Sequence, residues 1–317
     1  MNAAGRLGLY GAGLAVAFAA AFGVAALVVP DSAVAEWTES AQESDEHSGM
    51  ETSETEETEV LPGLSLSAYG YALSTVDAPT AIGEEGTLSF QILDAAGDPL
   101  TAFKTEHDKE LHLIVVRTDG TGFRHVHPTL DADSGTWSVP WTWDAAGTYR
   151  VYADFVPDVE DGPDKVTLTR AIDIAGDVTP EPATETSTTD EVDGFEVSID
   201  GTLTAGSSSD LTITVSRDGE PVTTLEPYLG AFGHLVTLRE GDLAYLHVHP
   251  LGDEPEAGDT GGPEIEFAAE APTAGRYLLY LDFQVDGQVH TAEFVLDAVH
   301  GDGTSGETHD DSDTDDH

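Results

Sequence analysis

The stretch "LHLIVVRTDGTGFRHVHP" at residues 111–128 recurs without a gap as "GHLVTLREGDLAYLHVHP" at 233–250. Its flanks recur as well. "LSFQILDAAGDPLT" (88–101) returns one residue shorter as "LTITVSRDGEPVT" (211–223), and "AGTYRVYADF" (146–155) returns as "AGRYLLYLDF" (274–283). A sequence written twice folds as one architecture made twice, which is the strongest constraint on this chain. Neither copy holds a long run with helical periodicity. Each alternates short runs of Val, Thr, Leu, Tyr and Phe with turn signals such as Ala-Gly-Asp-Pro and Asp-Gly-Glu-Pro. The pattern predicts an all-β fold of two tandem β-sandwiches, immunoglobulin-like or cupredoxin-like, over residues 61–176 and 194–299.

The remaining segments are read from composition. After Arg6, residues 7–29 carry no charge, a stretch long enough to span a bilayer. Ala33-Val34-Ala35 has the small-x-small form of a signal-peptidase site. Residues 1–35 are thus expected to be a transmembrane anchor or a cleaved signal peptide. Arg6 before the span and acidic sequence after it orient the rest of the chain outside the cell. Residues 36–60 read as a disordered Ser/Thr/Glu stalk, 177–193 as an acidic linker and 300–317 as an acidic tail.

With 61 acidic residues against 11 basic, the net charge is -50. Nucleic acid is excluded as a partner, because phosphate binding needs clustered Lys and Arg. An acidic surface of this extent points to a high-salt habitat, where counterions screen the self-repulsion. No cysteine is present. Disulfides, thiolate metal sites, iron–sulfur clusters, blue copper centres and thiol catalysis are all excluded.

Hairpin geometry turns the repeated motif into a spatial expectation. A type I′ turn at Asp119-Gly120 pairs Thr118 with Thr121, and so His112 with His127. A II′ turn at Gly241-Asp242 pairs Glu240 with Leu243, and so His234 with His249. Opposed residues share a sheet face, as do residues i and i+2 of one strand. His112, His125 and His127 are therefore expected to converge, and so are His234, His247 and His249. The expected result is one three-histidine site per sandwich, at the rim of a buried face, with Arg117 and Arg124 turned to water. Asp154 and Asp282, in the matched "YxDF" strands, are candidates for a fourth ligand, for orienting a ligand histidine, or for capping a turn. His107 and His290 have no counterpart in the other copy and carry less weight.

The "GHLV…LHVHP" block, preceded by "LEPYLGAF" and followed by "AGRYLLYLDFQ", resembles secreted or membrane-tethered proteins of actinobacteria and halophilic archaea. These are described as heavy-metal-binding or copper-associated. The first copy departs from the pattern, with "ELHL" for "GHL" and "EHDKE" for "YLGAF". The resemblance implies an extracytoplasmic β-sandwich protein with a metal-related role, and brings no enzymatic activity with it.

Three functional readings follow. The first is a non-enzymatic metal-binding protein that buffers or delivers copper, with zinc as the other candidate and an unidentified metal-transport partner. Imidazole suits both ions, copper tops the affinity order, and Met50 is the only methionine after Met1, which disfavours a methionine-rich Cu(I) site. The alternative is a structural or adhesive surface protein whose histidines are packed side chains. The third is a histidine-based metalloenzyme, with Glu106, Glu110 or Asp154 as acid or base.

Overall fold

The structure is a computed structural model that describes residues 63–246 and 248–301. The expected anchor or signal at 1–35, the stalk at 36–60, His247 and nearly all of the tail lie outside the described residues. Within them the chain is all β, with twenty strands and no helix.

In the first copy, strands β1 (Ser67–Ala68), β2 (Tyr71–Leu73), β3 (Gly86–Leu93), β8 (Thr136–Trp141) and β7 (Thr129–Asp131) form one sheet in that order. The facing sheet runs β10 (Val166–Ile174), β9 (Gly147–Pro157), β5 (Leu111–Arg117), β6 (Arg124–Val126), with β4 (Phe103–Lys104) pairing β9. The second copy repeats this plan. One sheet is β11 (Thr189–Val192), β12 (Phe195–Gly201), β13 (Ser208–Arg217), β18 (Glu264–Glu270), β17 (Val248–Pro250), with β14 (Glu220–Pro221) beside β13. The other is β16 (Tyr245–Leu246), β15 (His234–Arg239), β19 (Gly275–Val285), β20 (Gln288–Ala298). Each copy is thus a two-sheet sandwich with a core between its sheets. Leu88, Leu113, Val115, Trp137 and Phe155 belong to the first core, and Ile213, Leu235, Phe267, Leu279 and Phe283 to the second.

The expected register holds in the first hairpin. β5 pairs β6 as Leu113 with Val126 and Ile114 with His125, the alignment that sets His112 against His127. The turn itself differs. Of Asp119 and Gly120 only Gly120 has positive φ, which excludes type I′, and the Gly120 N–H donates to the Arg117 carbonyl. In the second hairpin Thr237 pairs with Leu246 and Leu238 with Tyr245, again the expected alignment. Here a four-residue loop closes on an Arg239–Ala244 pair, with Leu243 as well as Gly241 at positive φ.

The second hairpin then departs from expectation. By residue 248 the chain has crossed to the other sheet, where Val248 pairs with Ala269 and His249 with Ala268. In the first copy the matching Val126 still pairs within the hairpin. His249 is therefore not opposite His234. The early crossover also leaves the His249 side chain exposed.

The burial of β5 differs as well. All of Leu111–Arg117 is buried, on both faces of the strand. Leu111, Leu113 and Val115 face their own core. Ile114, Val116, Tyr152 and Phe123 face out of the first sandwich, and pack against Val236, Leu238, Leu278, Tyr280 and Tyr245 of the second. The histidine-bearing face is thus buried between the copies and not within a sandwich. Arg117 is buried too, with its guanidinium forked onto Asp119. Of the stretch expected to be a linker, Glu181 N–H donates to Asp119, Ala183 packs on this apolar layer, and Thr189–Val192 are β11.

The contact between copies is reciprocal. Tyr152 O–H donates to the Leu243 carbonyl at 2.7 Å, and Tyr280 O–H to the Gly120 carbonyl at 2.6 Å. Phe123 stacks on Tyr280 at 4.0 Å while Tyr245 tilts over Tyr152 at 6.1 Å. Matched residues exchange matched contacts, the signature of an isologous interface, here within one chain. Each phenol anchors a hairpin loop of the other copy, and a buried carbonyl left without its donor costs about 1–3 kcal/mol. Tyr152→Phe and Tyr280→Phe should each lower the unfolding free energy by about 1–3 kcal/mol, read as a lower urea midpoint at unchanged slope. A midpoint equal to wild type for both would show that these bonds contribute nothing.

Candidate metal centre

At one end of this interlayer the two copies bring four histidines together. His112 is the second residue of β5 and His234 the first of β15, equivalent positions, and their rings stack at 5.5 Å with planes 1° apart. His125 on β6 lies 5.2 Å from His112 and 4.9 Å from His234, ring to ring. His127, one residue beyond β6, lies 5.0 Å from His112 and 4.9 Å from His125. Ligand nitrogens of His112, His125 and His234 all fall within 4.8 Å of one another, and Nε2 of His127 is 3.3 Å from Nδ1 of His112.

The hydrogen bonds behind the rings fix which nitrogens face inward. His112 Nε2 is 3.1 Å from the Glu106 carbonyl, which can only accept, so Nε2 carries the proton and Nδ1 keeps its lone pair. His125 Nδ1 is 2.8 Å from Asp282 Oδ2, so Nδ1 carries a proton, and in the neutral ring Nε2 keeps its lone pair. These two lone pairs point at each other across 3.0 Å. A proton between them would make one of the two rings an imidazolium; a metal ion would satisfy both nitrogens with both rings neutral. The fit is good. Metal–nitrogen bonds of about 2.0 Å at a tetrahedral centre put nitrogens roughly 3.3 Å apart, against the 3.0 and 3.3 Å found here.

Electrostatics keep His112, His127 and His234 neutral. Burial, with the neighbouring His125 adding to it, lowers His112 to about 3. Burial followed by His125 and Lys109 lowers His127 to about 3. His234 is held well below the ordinary histidine value by desolvation and by His125, His112 and His107. Neutral imidazole is the form that binds metal.

The aspartates occupy matched positions with different partners. Asp154 pairs across the sheet with His112, and Asp282 with His234. Each accepts a threonine hydroxyl, from Thr167 and Thr291 respectively. The free oxygen of Asp282 orients His125 of the other copy. The corresponding oxygen of Asp154 meets Lys165 at 3.2 Å, and Lys165 also pairs with Glu106 at 3.0 Å. Burial alone would lower the Lys165 pKa, but Asp154 and Glu106 hold it above the ordinary value. Lys165 stands two residues before Thr167, and the matching position before Thr291 is Val289.

Of the expected residues, the fold brings His112, His125, His127, His234 and Asp282 into one cluster, with Asp154 beside it. His249 is an exposed residue of β17, and His247 lies outside the described residues. Among the described residues the cluster draws on both sandwiches, with His234 joining the histidines of the first copy, because the histidine face is the face the copies bury against each other. His107, given little weight in the sequence, lies against the cluster, 5.7 Å from His234 and 6.2 Å from His112. His290 does not, and pairs with Asp193. The overlooked signal was "LHLIVV", apolar on both faces but for one histidine, which marks a strand covered on both sides.

A family model described as "Domain of unknown function (DUF8832)" matches residues 67–169 and again 190–300, once per copy and together well over half of the chain. No curated protein matches it. Among solved structures, a Salmonella alpha-2-macroglobulin mutant is 15% identical with a TM-score of 0.23, over 75% of this chain and 15% of that one. The Yersinia pseudotuberculosis adhesin InvE is 14% identical with a TM-score of 0.21, over 74% of this chain and 60% of that one. Domains 5-6 of the S-layer protein SbsC are 12% identical with a TM-score of 0.22, over 73% and 99%. This chain therefore spans less than two thirds of the first two proteins.

The depressed histidines set a pH dependence of the metal-free protein. Their folded values of about 3 lie below the ordinary 6.5. Between those limits the unfolded chain takes up protons that the folded one refuses, so stability is full above pH 6.5 and falls as pH drops toward 3. The slope is on the order of 1 kcal/mol per pH unit for each such group. A His112→Asn/His127→Asn double variant should lose less stability than wild type between pH 7 and pH 4 in urea titrations. An equal loss would mean that these rings protonate freely in the folded state.

Proposed function

The chain belongs to the family described as a domain of unknown function (DUF8832), and from its geometry we propose that it binds one divalent transition-metal ion at the junction of its two sandwiches. The observation that carries this reading is the opposition of His112 Nδ1 and His125 Nε2 at 3.0 Å, each with its other nitrogen held by an acceptor. His112, His125 and His234 are the proposed ligands, with His127 as the fourth nitrogen donor. Asp282 orients His125 from behind, as carboxylates commonly do for ligand histidines.

An all-nitrogen set without thiolate or thioether suits Cu(II) first, by the affinity order, and Zn(II) second. The role is binding, buffering or delivery and not catalysis. Of the acidic groups near the centre, Glu106 and Asp154 are held by Lys165. With residues 1–35 as anchor or signal, the centre faces outside the cell, in a chain whose charge of -50 suits high salt. Each sandwich is of the immunoglobulin-like or cupredoxin-like kind.

A second reading is favoured by the burial of the same groups. His112 is 2% exposed and the His125 side chain wholly covered, as expected of packed residues in a structural or adhesive surface module. The adhesin and S-layer titles among the similar structures agree with this reading.

Calorimetric titration of the metal-stripped full chain with Cu(II), and separately with Zn(II), decides between them. One equivalent per chain is expected. His112→Ala, His125→Ala and His234→Ala should each weaken binding at least about tenfold, and Asp282→Asn by about 10- to 100-fold. Two equal equivalents, or wild-type affinity in the His125→Ala variant, would refute the shared centre. No binding at all would leave the structural reading.

A further inference from the structure

A groove of about 780 Å³ opens beside the histidine cluster, at the seam between the copies. Its wall joins His107 and Asp108 of the first copy to Asp253, Glu254, Glu264 and Glu266 of the second, and neither Lys nor Arg lines it. The five carboxylates are exposed, while His107 is half-buried. His107 belongs to the groove wall and also touches the centre, with its ring against those of His112 and His234. At the groove's inner end Gly230 leaves a narrow space. A Cβ there would lie 3.1 Å from Glu254 Oε1 and 3.8 Å from His107 Nδ1, so a carboxylate and an imidazole flank one point.

The repeat isolates what is particular to His107. Its counterpart in the second copy is Leu229, and the two share a left-handed backbone, with φ of +50° and +57°. The backbone is therefore common to both copies, and the imidazole is what the first copy adds. The Asp154 side of the centre is different in charge, because there the Lys165 ammonium already occupies the carboxylates.

We infer that this groove is the loading path of the metal centre and that His107 is its exchange ligand, passing a divalent transition-metal ion between the groove carboxylates and the buried histidines. The inference rests on the binding reading above. Its chemistry is a gradient of donor strength. Exposed carboxylates gather cations electrostatically and hold copper or zinc weakly, one imidazole holds them better, and several neutral imidazoles hold them best. A bound ion can then change partners one at a time without returning to water.

The test separates rate from affinity. Uptake of Cu(II) by the metal-free full chain is followed by stopped-flow absorbance, and release by transfer to EDTA. His107→Leu installs the residue that the second copy carries on the same backbone, and His107→Asn tolerates positive φ should the leucine variant fold poorly. Uptake and release should both slow about tenfold or more, within the range of electrostatically and sterically gated association, while affinity stays within about threefold of wild type. An Asp253→Asn/Glu254→Gln/Glu264→Gln/Glu266→Gln variant should take up metal more slowly and with a shallower salt dependence. Wild-type rates in the His107 variants would overturn the inference. So would an affinity loss equal to that of His125→Ala, which would make His107 a resident ligand. If the wild-type chain binds no metal, the binding reading itself fails, and this inference fails with it.

Discussion

The buried layer between the two sandwiches is the contact on which the rest of the molecule depends. The outer faces of two equivalent sheets meet through Ile114, Val116 and Tyr152 on one side and Val236, Leu238, Leu278 and Tyr280 on the other. Each such side chain contributes roughly 1.5–3 kcal/mol when fully removed from water, so the layer dominates the relation between the copies. It holds the hairpin loops through Tyr152 and Tyr280, carries Ala183 of the connecting segment, and brings His112 face to face with His234. Without it the histidines of the first copy would lie on an open sheet face, with Asp282 out of reach of His125.

Reciprocal packing of this kind would by itself produce a two-fold symmetric site, and the chain has broken that symmetry in its details. In the first copy the hairpin strand carries His125 to the centre and His127 follows it, whereas in the second the chain has crossed to the opposite sheet by Val248 and leaves His249 in solvent. Asp282 holds a histidine of the other copy, while its twin Asp154 holds Lys165. Glu106 and His107 stand where the second copy has Tyr228 and Leu229. Each copy carries four histidines, yet among the described residues the first places His112, His125 and His127 in the cluster and the second places His234 there.

Much of this was legible in the chain. The repeat, the absence of helical periodicity and the turn chemistry were enough for two β-sandwiches, because each is a local property of the sequence. Hairpin arithmetic was robust even where the turn type was not. Asp119-Gly120 does not form type I′ and Gly241-Asp242 does not close a two-residue loop, yet both registers came out as expected. The apolar pattern around the turns sets the register, since a one-residue slip would turn Ile114 and Val116 from the buried interlayer.

By itself, then, the sequence determined that the chain is two copies of one all-β unit, that His112, His125 and His127 share a face, and that Asp154 and Asp282 hold matched positions in the two copies. Those facts follow from periodicity and pairing within a few strands. Only the tertiary structure decided that this face is covered by the other copy, that His234 therefore joins the first copy's histidines, and that Asp282 serves His125 across 157 residues of chain. Packing between sheets is set by surfaces that complement each other at a distance. No local pattern records which of two apolar faces will meet its own sandwich and which will meet its twin.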